Sequence, residues 1–162
     1  MPITYTPIGV IRTPHTRIKG MPIQPVGAHG MGGTIEVSEP YRRGLTDLDG
    51  FSHILLVYHL HEIKGFELLV TPYLGDGLHG IFATRSPKRP NPIGISVLRL
   101  MGHDGGKVFV ENVDMLDNTP VLDIKPYVPA FDSWRAERIG WFEGVVQKAA
   151  SHEADERFHL AE

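Results

Sequence analysis

Thirteen prolines and eighteen glycines are spread along this chain of 162 residues, and they cap the length of any regular element. Proline lacks a backbone donor and clashes with the preceding helical turn, while glycine weakens helix and strand interiors alike. What lies between them is a series of short segments. "TYTPIGVIRT" at 4–13, "TIEV" at 34–37 and "SHILLVYHLH" at 52–61 read as strands, the last apolar enough to be buried. "GFELLVTPY", "HGIFAT", "GISVLRLMGH", "KVFVENVDML" and "VLDIKPYV" continue the pattern, and "HDGG" at 103–106 supplies hairpin chemistry between two of them. Only the C-terminal part has helical spacing, through Trp134, Arg138, Trp141, Phe142, Val145 and Val146, and Gly140 and Gly144 interrupt it.

Many short strands with frequent turns predict a mainly β chain: a small closed β-barrel with short helices and a C-terminal helical segment. A two-sheet sandwich is the alternative. The length suits one domain over 1–162, with a core at about 5–145 and a tail at 146–162. No apolar run approaches the roughly 20 residues that span a bilayer, and "MPITYTPIGVIRTP" lacks the basic start and apolar stretch of a signal peptide. With no cysteine, disulfides, thiolate metal sites and cysteine nucleophiles are excluded, and the cytoplasm is the expected compartment. The net charge of −3 does not attract nucleic acid, so any RNA contact must use a local basic patch.

Several motifs fail on inspection. "HGMGGT" lacks GxxxxGK[ST] and precedes a strand, so it reads as a flexible loop that could cover a site. His53, His59 and His61 share one strand face by their even spacing, but no second ligand set accompanies them and no metal is expected. No GxSxG elbow occurs, and neither Ser52 nor Ser86 has a triad spacing that supports a hydrolase.

Two segments carry chemistry. In "FATRSPKRPNPIG", 82–94, Pro87, Pro90 and Pro92 fix φ and leave carbonyls without local N–H partners, so the loop loses little entropy on binding. Arg85, Lys88 and Arg89 form a cluster suited to carboxylate or phosphate. In "DMLDNTPVLDIKPYVP", 114–129, Asp117 and Asn118 make a turn. Beyond it Leu122 and Ile124 are expected to face the core, with Asp123 and Lys125 toward a rim or cavity. Asp114, Asp117 and Asp123 place three carboxylates within ten residues.

"GIFATRSPKRPNPIGIS" and "DMLDNTPVLDIKPYVP" closely resemble the paired signatures of the TrmO family, also called TsaA-like or VirR-like proteins. "PIGVIRTP", "MPIQP" and "YRRGLTDLDGFSHILLVYHLH" extend the resemblance over about residues 5 to 145. It implies an S-adenosyl-L-methionine-dependent methyltransferase with a β-barrel fold, acting as a homodimer with the cofactor in a barrel and interface pocket. Characterised members of that family methylate N6 of threonylcarbamoyl-adenosine next to the anticodon of threonine tRNA. The chain has Lys88 where arginine is common, and it ends soon after "RFHLAE" where longer bacterial relatives continue into an extension associated with tRNA.

A cofactor of this kind presents a carboxylate, two cations, a ribose and an adenine. Arg85 or Arg89 suits the carboxylate, Asp114, Asp117 or Asp123 with the loop carbonyls the cations, and Phe82, Leu116 and Tyr127 the adenine. Ser86, Pro87, Asn91 and Thr119 complete the expected cofactor set. For the reaction, Asp123 or Tyr127 is the expected proton acceptor, tuned by Lys125. Two other readings stay open: a cofactor- or RNA-sensing module without turnover, and a methyltransferase for another small nucleophile.

Overall fold

The computed structural model of the chain describes residues 1–158. Six strands close into an antiparallel barrel: β1 (Gly9–Arg12), β2 (Gly32–Val37), β3 (His53–His59), β6 (Ile93–Asp104), β7 (Lys107–Glu111) and β8 (Thr119–Pro126). Their order around the wall is β1-β2-β7-β6-β3-β8, and β8 returns to pair with β1. The return of β8 to β1 closes the wall, which settles the barrel over the sandwich.

Alternation along the strands fills the interior. Ile54, Leu56 and Tyr58 of β3 point inward with Leu98, Val108, Val110, Ile11, Ile35 and Val121, while His53, Leu55, Val57 and His59 face outward. Full burial of each aliphatic side chain contributes about 1.5–3 kcal/mol, which makes this cluster the main source of stability. The "HDGG" turn joins β6 to β7 as expected. Gly105 and Gly106 both take positive φ there, 55° and 86°, which a two-residue hairpin matched to strand twist requires.

β6 is long because it serves two partners in turn. Its first half, Ile93 to Arg99, pairs with β3, and its second half, Arg99 to Asp104, pairs with β7. β7 therefore leaves β6 at Glu111, and Asn112 turns the chain away with φ of 70°. The first half of β6 has no ladder partner on that side. This split in the wall opens at the end of the barrel shared by the C-termini of β1, β3 and β7 and the N-termini of β2, β6 and β8, called the mouth below.

Three sequence expectations change. The 65–73 and 79–84 segments give only two-residue strands, β4 (Leu69–Val70) and β5 (His79–Gly80), which pair with each other outside the barrel. The second then tightens into a 3₁₀ turn at Ile81–Ala83. In β8, Val57 faces Asp123 but Tyr58 faces Val121, so Leu122 is the extra residue of a bulge. Val121 and Ile124, instead of Leu122 and Ile124, line the core. The C-terminal helical segment is three short pieces: α1 (Pro129–Asp132) and 3₁₀ turns at Gly140–Phe142 and Val146–Ala150. Gly140 and Gly144 adopt φ of 58° and 81°, which no continuous α-helix through Trp134 to Val146 can contain. Residues 159–162 of the expected tail lie outside the described residues. Among the described residues no helix is long and apolar enough to cross a membrane.

Candidate functional site at the barrel mouth

The proline loop runs from the 3₁₀ turn at Ile81–Ala83 into β6, and its rigidity has identifiable sources. Thr84 Oγ1 donates to the Ile81 carbonyl at 2.9 Å and accepts from the Ser86 amide at 3.2 Å. Arg89 Nη1 donates to the carbonyls of Ile81, Thr84 and Ser86 at 3.2, 2.8 and 3.2 Å. Lys88, 4% exposed, pairs its ammonium with Glu67 Oε1 at 3.0 Å. Two of the three cations that the sequence offers to an anionic ligand are thus occupied in holding the loop. Arg85 keeps its side chain exposed, with a single contact of 3.2 Å from Nη1 to Gln24 Oε1. The loop is tied to the mouth through the Leu60 amide, which donates to the Pro92 carbonyl at 2.8 Å.

The 114–119 segment closes the split in the wall. Asp114 is buried against the unpaired half of β6, where Ser96 Oγ donates to its Oδ1 at 2.7 Å and Tyr58 Oη lies 3.0 Å from Ser96 Oγ. Burial raises the Asp114 carboxyl to about 7, opposed by the Ser96 hydrogen bond, its own amide and the positive charge of Arg85. Burial also raises Tyr58, helped by the negative charge of Asp114. The positive charge of Arg85 lowers both groups and is the smallest of the influences on each.

The stretch after β1 laces onto the same segment. The Thr13 amide donates to Asp117 Oδ1 at 3.1 Å, the Asp117 amide to the His15 carbonyl at 2.8 Å, and His15 Nε2 lies 2.9 Å from the Val113 carbonyl. Asp117 is therefore a structural acceptor as well as a turn residue. Asn118 completes the turn with φ of 66° and accepts from Arg12 Nη1 at 2.6 Å. Thr119 Oγ1 donates to the Leu116 carbonyl at 2.7 Å and stands 3.5 Å from His61 Nδ1. The loop that carries Arg85, Ser86, Pro87, Arg89 and Asn91 thus reaches the mouth at Pro92, while Asp114, Leu116, Asp117 and Thr119 lie on the segment that closes the split. Phe82, 77% exposed, stands on the turn that leads into the loop.

Asp123, Lys125 and Tyr127 are elsewhere. Asp123 lies on the outer wall opposite Val57, four residues down β8 from the mouth, or about 13 Å at strand rise. It pairs there with Lys125 at 2.7 Å, and both side chains are largely exposed. Tyr127 follows the far end of β8, its amide bonded to the His53 carbonyl at 3.1 Å and its ring edge-on to His53. Within one chain these residues do not meet the mouth, and Tyr127 does not share an adenine pocket with Leu116. His53 and His59 face outward from β3, and His61 leaves that face in the turn beyond it.

The sequence reading passed over Tyr58 and Ser96. Each sits at an inward position of an otherwise aliphatic alternation, and a polar residue in that phase is the signal that marks them.

Comparison with known proteins agrees with this geometry. The chain is 50% identical over 156 residues to a probable S-adenosyl-L-methionine-binding protein of Pyrococcus abyssi, covering 96% of this chain and 85% of that one. It is 37% identical over 139 residues to the tRNA (adenine(37)-N6)-methyltransferase of Escherichia coli, covering 80% of this chain and 59% of that protein. The crystal structure of TrmO from Pseudomonas aeruginosa superposes with a TM-score of 0.73 at 37% identity, over 87% of this chain and 63% of that one. The chain therefore spans about 60% of the length of these last two proteins. The family model for the tRNA-methyltransferase O N-terminal domain matches residues 10–133, which takes in the barrel, the proline loop and the 114–119 segment. With barrel, mouth and match coinciding, the chain belongs to the TrmO family of S-adenosyl-L-methionine-binding methyltransferases.

Proposed function

We propose that this protein transfers the methyl group of S-adenosyl-L-methionine to N6 of an adenosine in transfer RNA, with threonylcarbamoyl-adenosine beside the anticodon as the substrate. The observation that carries this reading is the state of Arg85. The proline loop is fixed by its own arginine and lysine, yet it leaves the Arg85 guanidinium exposed, with one contact to Gln24. Such a preformed cation suits the carboxylate of an amino-acid tail, at little ordering cost. In this reading Ser86, Pro87, Asn91, Asp117 and Thr119 complete the cofactor site, and Phe82 and Leu116 supply apolar surface for the adenine. The relatives named for S-adenosyl-L-methionine binding and for tRNA adenine methylation support the same assignment. tRNA places the work in the cytoplasm.

The test uses purified protein, methyl-labelled S-adenosyl-L-methionine and tRNA from cells lacking this methyltransferase. Nucleoside mass spectrometry is expected to show methylated threonylcarbamoyl-adenosine in threonine tRNA. Calorimetric binding of the cofactor without any transfer would favour a sensing module instead.

The working unit is a homodimer. The outer wall of β3 and β6 supports this, because its paired positions Leu55–Val97 and Val57–Ile95 are apolar and Ile93 and Ile95 are 41% and 53% exposed. Asp123 and Lys125 flank that face through their pairing with Val57 and Leu55, so any part they play in the chemistry is played across the interface. Light scattering is expected to give twice the chain mass at micromolar concentration; a monomer with full cofactor binding would refute it.

A further inference from the structure

In the barrel interior Tyr58, Ser96 and Asp114 bring polar groups together among apolar side chains, 6%, 3% and 8% exposed. The donors in this line can be assigned. With Asp114 ionised, Ser96 gives its one hydroxyl proton to Asp114 Oδ1, and the Tyr58 hydroxyl then donates to Ser96 Oγ. The result is a directed chain, from Tyr58 on β3 through Ser96 on β6 to the carboxyl of Asp114, in which each bond polarises the next. A buried carboxyl is a poor stabiliser, since apolar groups of similar volume generally do better in that setting. Its place is also telling: it fills the split in the wall at the mouth, against the unpaired half of β6, and not the closed far end.

We propose that Asp114 accepts the proton released in methyl transfer and that Ser96 and Tyr58 position its carboxylate; the assignment rests on the methyltransferase reading above. Methylating N6 forms an N6–CH3 bond as the CH3–S⁺ bond breaks, and the electron pair of that bond stays on sulfur. The N6–H bond breaks and its proton passes to a carboxylate oxygen of Asp114, which returns it to water after the products leave. The nitrogen of a threonylcarbamoyl-adenosine is acylated and hence a weak nucleophile, so a base near it contributes directly to the rate. A carboxyl that titrates at about 7 is matched to that duty near neutral pH, unlike an exposed carboxylate. Ser96 from β6 bonds it and Tyr58 from β3 lies behind Ser96, the charge of Arg85 from the proline loop acts on it, and His15 lies on the neighbouring Val113 carbonyl with His61 beyond at Thr119.

The experiment measures kcat against pH and the cofactor Kd, with methyl-labelled S-adenosyl-L-methionine and tRNA carrying unmethylated threonylcarbamoyl-adenosine. Asp114→Asn is expected to lower kcat by at least about 100-fold with a cofactor Kd within about threefold of wild type, the pattern of a group acting in the transition state. The wild-type kcat should rise with pH through an acid limb and level off once Asp114 is ionised. Ser96→Ala removes a bond to the carboxylate and should move that limb to higher pH, and Tyr58→Phe should move it the same way by less. A structural trio would change stability and leave the limb in place. A loss of less than about tenfold in Asp114→Asn, or a limb unmoved in Ser96→Ala, overturns the assignment. If Asp114→Asn does not fold, the Ser96→Ala profile decides alone. A wild type that transfers no methyl group overturns the functional reading and this assignment with it, whereas an active wild type beside an equally active Asp114→Asn overturns the assignment only.

Discussion

Replacing Arg89 by alanine takes one guanidinium nitrogen away from three carbonyls of the proline loop. That nitrogen carries two hydrogens, so the three contacts amount to about two full hydrogen bonds. A hydrogen bond to a charged group contributes about 1.5–3 kcal/mol, and the half-buried site lets water replace part of each. The lower end is therefore appropriate, giving a loss of about 3 kcal/mol. For a chain of this size that lowers the melting temperature by about 6–12 °C. Arg85→Ala provides the contrast. Its guanidinium has one exposed contact, so unfolding should shift by no more than about 0.5 kcal/mol, while cofactor affinity falls by about one to two powers of ten. Thermal unfolding followed by tryptophan fluorescence, with calorimetric titration of S-adenosyl-L-methionine, reads both quantities on both variants. The reasoning fails if Arg89→Ala melts with the wild type but loses the cofactor, for then Arg89 is a ligand anchor and not a staple.

That division of labour explains which parts of the site were legible beforehand. Prolines at 87, 90 and 92 announce a stiff loop with carbonyls short of donors, and the adjacent cations announce anion binding. Which cation satisfies carbonyls and which stays free depends on the path of the loop in three dimensions, where Glu67 and the Ile81 turn meet it. Local chemistry was readable where it is decided locally, as in Gly105 and Gly106 at the hairpin or the strict alternation of β3. It failed where pairing partners decide. The 65–73 and 79–84 segments have strand-like composition but only each other to pair with, and Leu122 is displaced by a bulge that the β3 register imposes. Asp123 stood out as a carboxylate within an apolar strand, yet its phase after the bulge turns it to the outer wall. Asp114, Ser96 and Tyr58 come together only because β7 departs from β6 half-way, a tertiary event without a local signature.

Gly94→Ala tests the support of the Tyr58 end of that chain. A methyl group at Gly94 would overlap the Tyr58 ring lying across it, so the ring must shift from its present place. A loss of about 1–3 kcal/mol is expected in urea unfolding, and wild-type stability would show that the ring is not held there. The final prediction is a pH dependence, and it concerns folding alone. Asp114 is raised in the folded chain from 3.8 to about 7, so between those values the folded state holds a proton that the unfolded state has released. Stability from this group is complete below about pH 4, declines as pH rises and levels off above about 7. Three pH units correspond to something on the order of 4 kcal/mol at 1.36 kcal/mol each. The side-chain amide that Asp114→Asn introduces cannot titrate, so the stability of wild type minus that of the variant should fall steadily across this window. Urea unfolding of both proteins in matched buffers measures the difference and cancels the contribution of groups they share. A difference that rises with pH would mean the carboxylate is favoured in the folded state, and Asp114 would then be an ordinary ion-paired acid with no proton to exchange near neutrality.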